Sequence, residues 1–170
     1  MNAISVGYRF SRDELSTILQ AMRIDGLPGA PLEPVDRETA RRVLDRLASE
    51  GLAMVAGDTL YIDKLIGFLL NACAQSRSAV AITDKARTDV LWQTDKLIIL
   101  GDFAPDGECA LTPLQDAYAA QATLYDVLLR MTRPLWVMNV FTPDQRFSIS
   151  LDSSLSEKQI AADAMELLKA

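Results

Sequence analysis

The stretch from Asp36 to Gln75 is more fully specified by local signals than any other part of this chain. Asp36 stands where a helix N-cap is wanted, since its carboxylate can accept from a free amide of the first turn. Ala40, Val43, Leu44 and Leu47 then recur at helical spacing and form one apolar stripe. Gly51 supplies the left-handed residue that ends such a helix, and Leu52 supplies the apolar contact that closes the cap. Leu52 to Val55 and Thr59 to Ile62 flank Ala56-Gly57-Asp58, the pattern of a small hairpin. Asp63 restarts a helix through Gln75, with Leu65, Ile66, Leu69, Leu70 and Cys73 expected to point inward.

Helix, hairpin and helix in this order predict a winged-helix-like N-terminal half. In a DNA-binding version the helix before the wing would present Arg37, Arg41, Arg42 and Arg46 to phosphates. Three features argue against nucleic acid. Glu38, Asp45 and Glu50 are interleaved with the arginines, and the wing tip Gly57-Asp58 carries no cation. The whole chain has a formal charge of -6 and a pI near 4.6, so its field repels a polyanion. The arginines read as a solvated face, with DNA binding as the alternative.

Much catalytic chemistry is absent for want of residues. There is no histidine among the 170 residues, which removes His-assisted serine or cysteine nucleophiles and His-ligated zinc. Cys73 and Cys109 are far apart and have no metal spacing, so two buried thiols are expected. Gly26-Leu-Pro-Gly lacks the lysine of a phosphate loop, and its proline removes an amide. Asp102, Asp106 and Glu108 have no calcium-loop order and read as a solvated turn. No enzyme, metal or cofactor is expected. The N-terminal MNAISVGYRF has no basic segment followed by an apolar one, and no apolar run is long enough to span a bilayer. A cytoplasmic location is the expectation.

The rest of the chain divides by period. Ala3 to Phe10 alternates as a strand, and Ser11 with Glu14 forms a capping box for a helix to about Arg23. Asp25 to Pro34 holds three prolines and two glycines, and its Leu27 and Leu32 suggest a loop pinned to the surface. From Ser78 the period becomes two. Ala79 to Thr83, Arg87 to Thr94, Lys96 to Phe103 and the Cys109 run predict an antiparallel meander. The all-apolar Leu97 to Leu100 marks a central strand. A helix is expected from about Thr112, with Pro113 in its first turn, to about Met131. Leu114, Tyr118, Gln121, Tyr125 and Leu128 define one face, which Ala117, Leu124 and Leu129 widen. Two strands, Leu135 to Phe141 and Arg146 to Leu151, precede a last helix from Glu157 to Leu168. Val6 to Arg23 and Phe147 to Leu168 echo each other as strand, polar turn and capped helix.

The fold class is therefore α+β: an antiparallel sheet with packed helices, in one domain or in two fused lobes, 1–77 and 78–170. Trp92, Trp136 and Phe141 fall in strands, where core packing is the ordinary use. Any of them that faces outward would anchor a protein partner. Exposed sheet edges offer a second contact, by strand addition.

The order of elements also resembles a family. Phe10-Ser-Arg-Asp-Glu-Leu leads through the Pro-rich loop to the helix from Ala40, Ala-Arg-Arg-Val-Leu-Asp-Arg-Leu-Ala-Ser-Glu-Gly-Leu, with its glycine stop. Asp63-Lys-Leu-Ile-Gly-Phe-Leu-Leu and the antiparallel sheet follow. This is similar to the EspG-like secretion-associated proteins of type VII secretion. The resemblance implies a cytosolic α+β chaperone for secreted helical substrates, and so a non-enzymatic protein-binding module. No site residue is carried over by motif.

Overall fold

Ser11 both ends the first strand and starts the first helix. Its hydroxyl accepts from the Glu14 amide at 3.1 Å, and the Glu14 carboxylate accepts from the Ser11 amide at 2.6 Å. The expected capping box is thus formed. The computed structural model of the chain describes residues 7–57, 59–132 and 137–169. Its elements are β1 (Tyr8–Ser11), α1 (Arg12–Ala21), α2 (Arg37–Ser49), β2 (Ala53–Ala56), β3 (Thr59–Ile62), α3 (Lys64–Ala74), β4 (Ser78–Thr83), β5 (Thr88–Gln93), β6 (Ile98–Phe103), β7 (Glu108–Leu114), α4 (Ala117–Leu128), β8 (Val137–Phe141), β9 (Arg146–Ser150) and α5 (Glu157–Lys169). Of the first expected strand, Ala3 to Phe10, residues 3–6 lie outside the described residues.

Seven strands form one antiparallel sheet in the order β1-β7-β6-β5-β4-β8-β9, and β2 pairs with β3 apart from it. The strand alternation sends side chains to two separate cores. Ala79, Ala81, Val90, Trp92 and Phe103 face α1, α2 and α3. Val80, Ile82, Leu91, Leu100 and Met138 face α4 and α5. The chain is therefore α+β, with helices on both faces of the sheet. Leu97 to Leu100 reads apolar throughout because β6 is central and covered on both sides. The strand-plus-helix echo has a structural counterpart. β1 and β9 are the two edge strands, and the helices that follow them, α1 and α5, lie on opposite faces.

The N-terminal signals act locally. Asp36 accepts from the Thr39 amide at 2.9 Å, and Asp63 accepts from the amides of Leu65 and Ile66. Gly51 has φ +73°. Its amide reaches the Ala48 carbonyl at 3.1 Å, and the Leu52 amide reaches the Leu47 carbonyl at 2.9 Å, which is the Schellman pairing. Gly51→Ala is expected to cost about 1–2 kcal/mol, because a Cβ clashes in the left-handed region. Urea unfolding midpoints of the two proteins measure it; equal midpoints would show that the cap does not hold this geometry.

Two expectations are corrected. Pro113 lies in β7, opposite Ile99, rather than in a helix. Among the described residues the β1 ladder runs from Tyr8↔Leu111 to Ser11↔Glu108, so Pro113 lies beyond its described pairs, and a proline is tolerated in a strand where its missing amide hydrogen is not needed by a ladder. Asp116, not Thr112, caps α4, accepting from the Ala119 amide at 2.8 Å. The buried face of α4 is Ala120, Leu124, Val127 and Leu128, whereas Tyr118 and Tyr125 point out. This helix is apolar on two faces, and spacing alone does not say which one meets the sheet.

The Pro-rich segment is pinned, as its leucines suggest. Leu27 is buried, and the Pro28 carbonyl accepts from Trp92 Nε1 at 2.8 Å.

Candidate functional site

Large apolar side chains left in water are informative when they cluster. Among the described residues eleven are exposed, and six of them lie between Leu52 and Phe68: Leu52, Met54, Val55, Tyr61, Leu65 and Phe68. The β2–β3 hairpin and α3 account for this. Met54 and Tyr61 are directly paired across the hairpin, so both stand on its outward face. Only Ala53 of β2 is buried, and Met54 to Gly57 are exposed. Beneath it, Leu44, Leu47, Leu52, Leu60 and Ile66 close a seam with no room for water. The hairpin is thus rooted in the core at one end and free at the other.

α3 is apolar around most of its circumference. Ile66, Leu69, Leu70 and Cys73 take the buried face. That leaves Leu65 (61% exposed) and Phe68 (48% exposed), one turn apart, on the solvent side. The expectation that Leu65 points inward is corrected: the buried stripe is already filled by the residues at 66, 69, 70 and 73. A helix that is hydrophobic all round is normally covered all round. The charged residues from Leu52 to Phe68 are only Asp58, Asp63 and Lys64. Low charge with Met, Tyr and Phe at the surface is the composition of a protein-interface centre. The signal in the sequence was the excess of apolar residues in Lys64–Ala74 over what one stripe needs.

The residues singled out from sequence are distributed differently. Trp92 as a partner anchor is corrected. It is 0% exposed, donates to Pro28, and packs edge-on to Phe103 with ring centroids 6.3 Å apart. Phe141 is half-buried, with the Arg146 guanidinium 5.7 Å above its ring. Trp136 lies outside the described residues. Arg37, Arg41, Arg42 and Arg46 all lie on exposed positions of α2. Arg46, however, is ion-paired with Glu14 of α1, and Arg42 donates to Thr39 at 3.4 Å.

The acidic group also changes shape. Asp102 belongs to β6, not to the turn, and pairs with Arg87 at 2.7 Å. Directly across the sheet from it is Asp89, which is 1% exposed and, among the described residues, has no hydrogen-bond partner on either carboxylate oxygen. Burial pushes the Asp89 carboxyl up to about 8, with repulsion from Asp102 adding to it and Arg87 and Arg130 opposing. Asp84 shows the contrast. Burial pushes it up too, but amides of Ala86, Thr132 and Arg87 reach its oxygens at 2.6–2.8 Å, and its carboxyl ends below the usual value. Sequence reasoning missed Asp89 because its neighbour is set by strand register, not by spacing.

Cys73 and Cys109 are buried free thiols. Burial pushes both up, Cys109 to about 12, so neither is an activated nucleophile. Among the described residues no cluster of three or more acidic, Cys or His side chains is arranged to hold a metal ion. No described helix is long and apolar enough to cross a membrane.

No family model matches the chain, and no curated protein matches it. A solved structure does: that of the Mycobacterium tuberculosis type VII secretion system chaperone EspG5 in complex with PE25-PPE41 dimer. The match has a TM-score of 0.58 and 8% identity, and covers 96% of this chain and 96% of that chain. At that identity the likeness concerns the fold. The resemblance read from the order of elements is therefore found again in three dimensions, and this chain is similar in fold to a type VII secretion chaperone structure.

Proposed function

We propose that this chain is a non-enzymatic, chaperone-like protein-binding module that works in the cytoplasm. It holds an apolar helical segment of a secreted partner against Met54, Tyr61, Leu65 and Phe68. The observation that carries this reading is the concentration of exposed apolar side chains on the hairpin and α3, in a segment nearly free of charge. The fold likeness supports it, because EspG5 in the matched structure is in complex with a protein dimer. A helix laid in such a surface buries residues at i, i+3, i+4 and i+7, and Leu65 and Phe68 repeat at the matching interval.

A second reading keeps the α2 arginines in use. Arg37, Arg41 and Arg42 are exposed and would follow a duplex backbone if α2 and the hairpin acted as a winged helix. The two readings separate by mutation. Wild type, a Leu65→Asp/Phe68→Asp variant and an Arg37→Glu/Arg41→Glu variant serve as baits in an extract of the source cells, with captured proteins identified by mass spectrometry. A discrete partner held by wild type and by the arginine variant is expected to be lost about tenfold or more by the apolar variant, the scale of central interface residues. Equal capture by all three would contradict the apolar surface. Duplex DNA binding at low salt that disappears in the arginine variant would establish the second reading instead.

A further inference from the structure

The described sulfur atoms of this chain are withdrawn from water, with one exception. Cys73 and Cys109 are buried thiols, and burial pushes both up, which suppresses the thiolate that would attack a peroxide. Met131, Met138 and Met165 are buried. Met22 is half-buried against α3, its Cε 3.9 Å from where a Cβ at Gly67 would lie. Among the described residues only Met54 is an open methionine, at 59% exposed. Its place is as particular as its exposure. It stands opposite Tyr61 on the outward face of the β2–β3 hairpin, inside the apolar surface assigned to the partner. A flexible thioether suits an adaptable apolar contact, and it is also the side chain there that mild oxidants convert.

We propose that Met54 is a reversible oxidation switch: a hydroperoxide converts its thioether to the sulfoxide, and the sulfoxide form releases the apolar partner segment. The switch rests on the reading that the hairpin and α3 hold that partner. The chemistry needs no other group. The Met54 sulfur attacks a peroxide oxygen, the O–O bond breaks and an S–O bond forms. The proton of the attacked oxygen passes to the departing one, which leaves as water. The sulfur is oxidised by two electrons and the peroxide is reduced by two. Thiol-dependent sulfoxide reductases reverse the step, with two thiols becoming a disulfide and the oxygen leaving as water. The product presents a different surface. A sulfoxide oxygen is a polar acceptor that water satisfies in the free chain. Covered by an apolar helix it loses that water, and burying such a group without a donor is unfavourable.

The chain is treated with hydrogen peroxide, freed of it and cut with trypsin, which leaves Met54 as the sole methionine of the peptide 47–64. That peptide is expected to gain one oxygen about tenfold faster than the peptides of Met22, Met131, Met138 and Met165, because reactivity follows exposure. Untreated wild type, treated wild type and treated Met54→Leu, all with the same circular dichroism spectrum, then serve as baits in the source-cell extract. Untreated wild type and treated Met54→Leu are expected to hold the same protein. Treated wild type is expected to hold about tenfold less of it, and a methionine sulfoxide reductase with thiol to restore capture. Even oxidation across these methionines, undiminished capture by protein oxidised at Met54, or an equal loss in Met54→Leu would overturn the switch and leave the partner surface standing. An untreated chain that captures nothing would overturn both.

Discussion

Asp89→Asn is expected to raise the melting temperature at pH 8 by roughly 5–15 °C, on the scale of 2–4 °C per kcal/mol for a chain of this size. The reason is a buried carboxyl that the fold does not satisfy. Among the described residues Asp89 has no donor on either oxygen; it faces Asp102 across the β5–β6 ladder and is pushed up to about 8 chiefly by burial. In the unfolded chain an aspartate titrates near 4. Between those values the unfolded state releases its proton while the folded state keeps it, so the unfolded state is favoured progressively as pH rises. Each unit of difference is worth about 1.4 kcal/mol, and several kcal/mol of stability are lost between about pH 4 and pH 8.

Asparagine mimics the neutral acid. Its amide can donate to Asp102, which the Arg87 guanidinium holds at 2.7 Å, as the protonated Asp89 can. The gain is therefore expected to be small at pH 4.5 and to widen up to pH 8, where it levels off. Melting curves of wild type and Asp89→Asn over this range measure the gap. A gap that does not change with pH would mean that Asp89 titrates normally in the folded protein.

The second large effect lies on the other face of the sheet. Trp92→Ala is expected to lower stability by about 3–5 kcal/mol, the usual range for removing a buried tryptophan. The ring is fully buried and fills space left open by Gly101, where a Cβ would lie 2.5 Å from ring carbons of Trp92. Its Nε1 is also the donor to the Pro28 carbonyl, so the substitution unpins the 25–34 loop from the sheet. The urea midpoint is expected to fall, and limited proteolysis of the folded variant to cut within that loop. A loss below about 1 kcal/mol would show that the core collapses onto the vacated site.

The parts of this fold that were legible in the sequence are those fixed by near neighbours. Ser11, Asp36, Gly51 and Asp63 each act within three or four residues, and their caps form where the spacing places them. The strands of the meander were readable because β4, β5 and β6 follow one another across short turns. Features set by distant parts of the chain were not. Pro113 passes for a helix start until β6 claims it as a strand residue. Tyr118 and Leu124 are equally apolar, and only packing against the sheet decides which is buried. Asp89 meets Asp102 through register alone. Leu65 reads as an inward residue because the sequence does not reveal which face of a largely apolar helix is left uncovered.

The most direct test of the partner surface is photo-crosslinking in the source cells from an amino acid carrying a photoreactive group, placed at Phe68 in one protein and at Arg41 in another. Both positions are exposed, but only the first lies on the proposed surface. The expected result is a discrete crosslinked protein from position 68 that is absent from position 41 and disappears when Leu65→Asp is added. Crosslinks from position 41 alone, or none from position 68 in growing cells, would contradict the claim that the hairpin and α3 form the binding face.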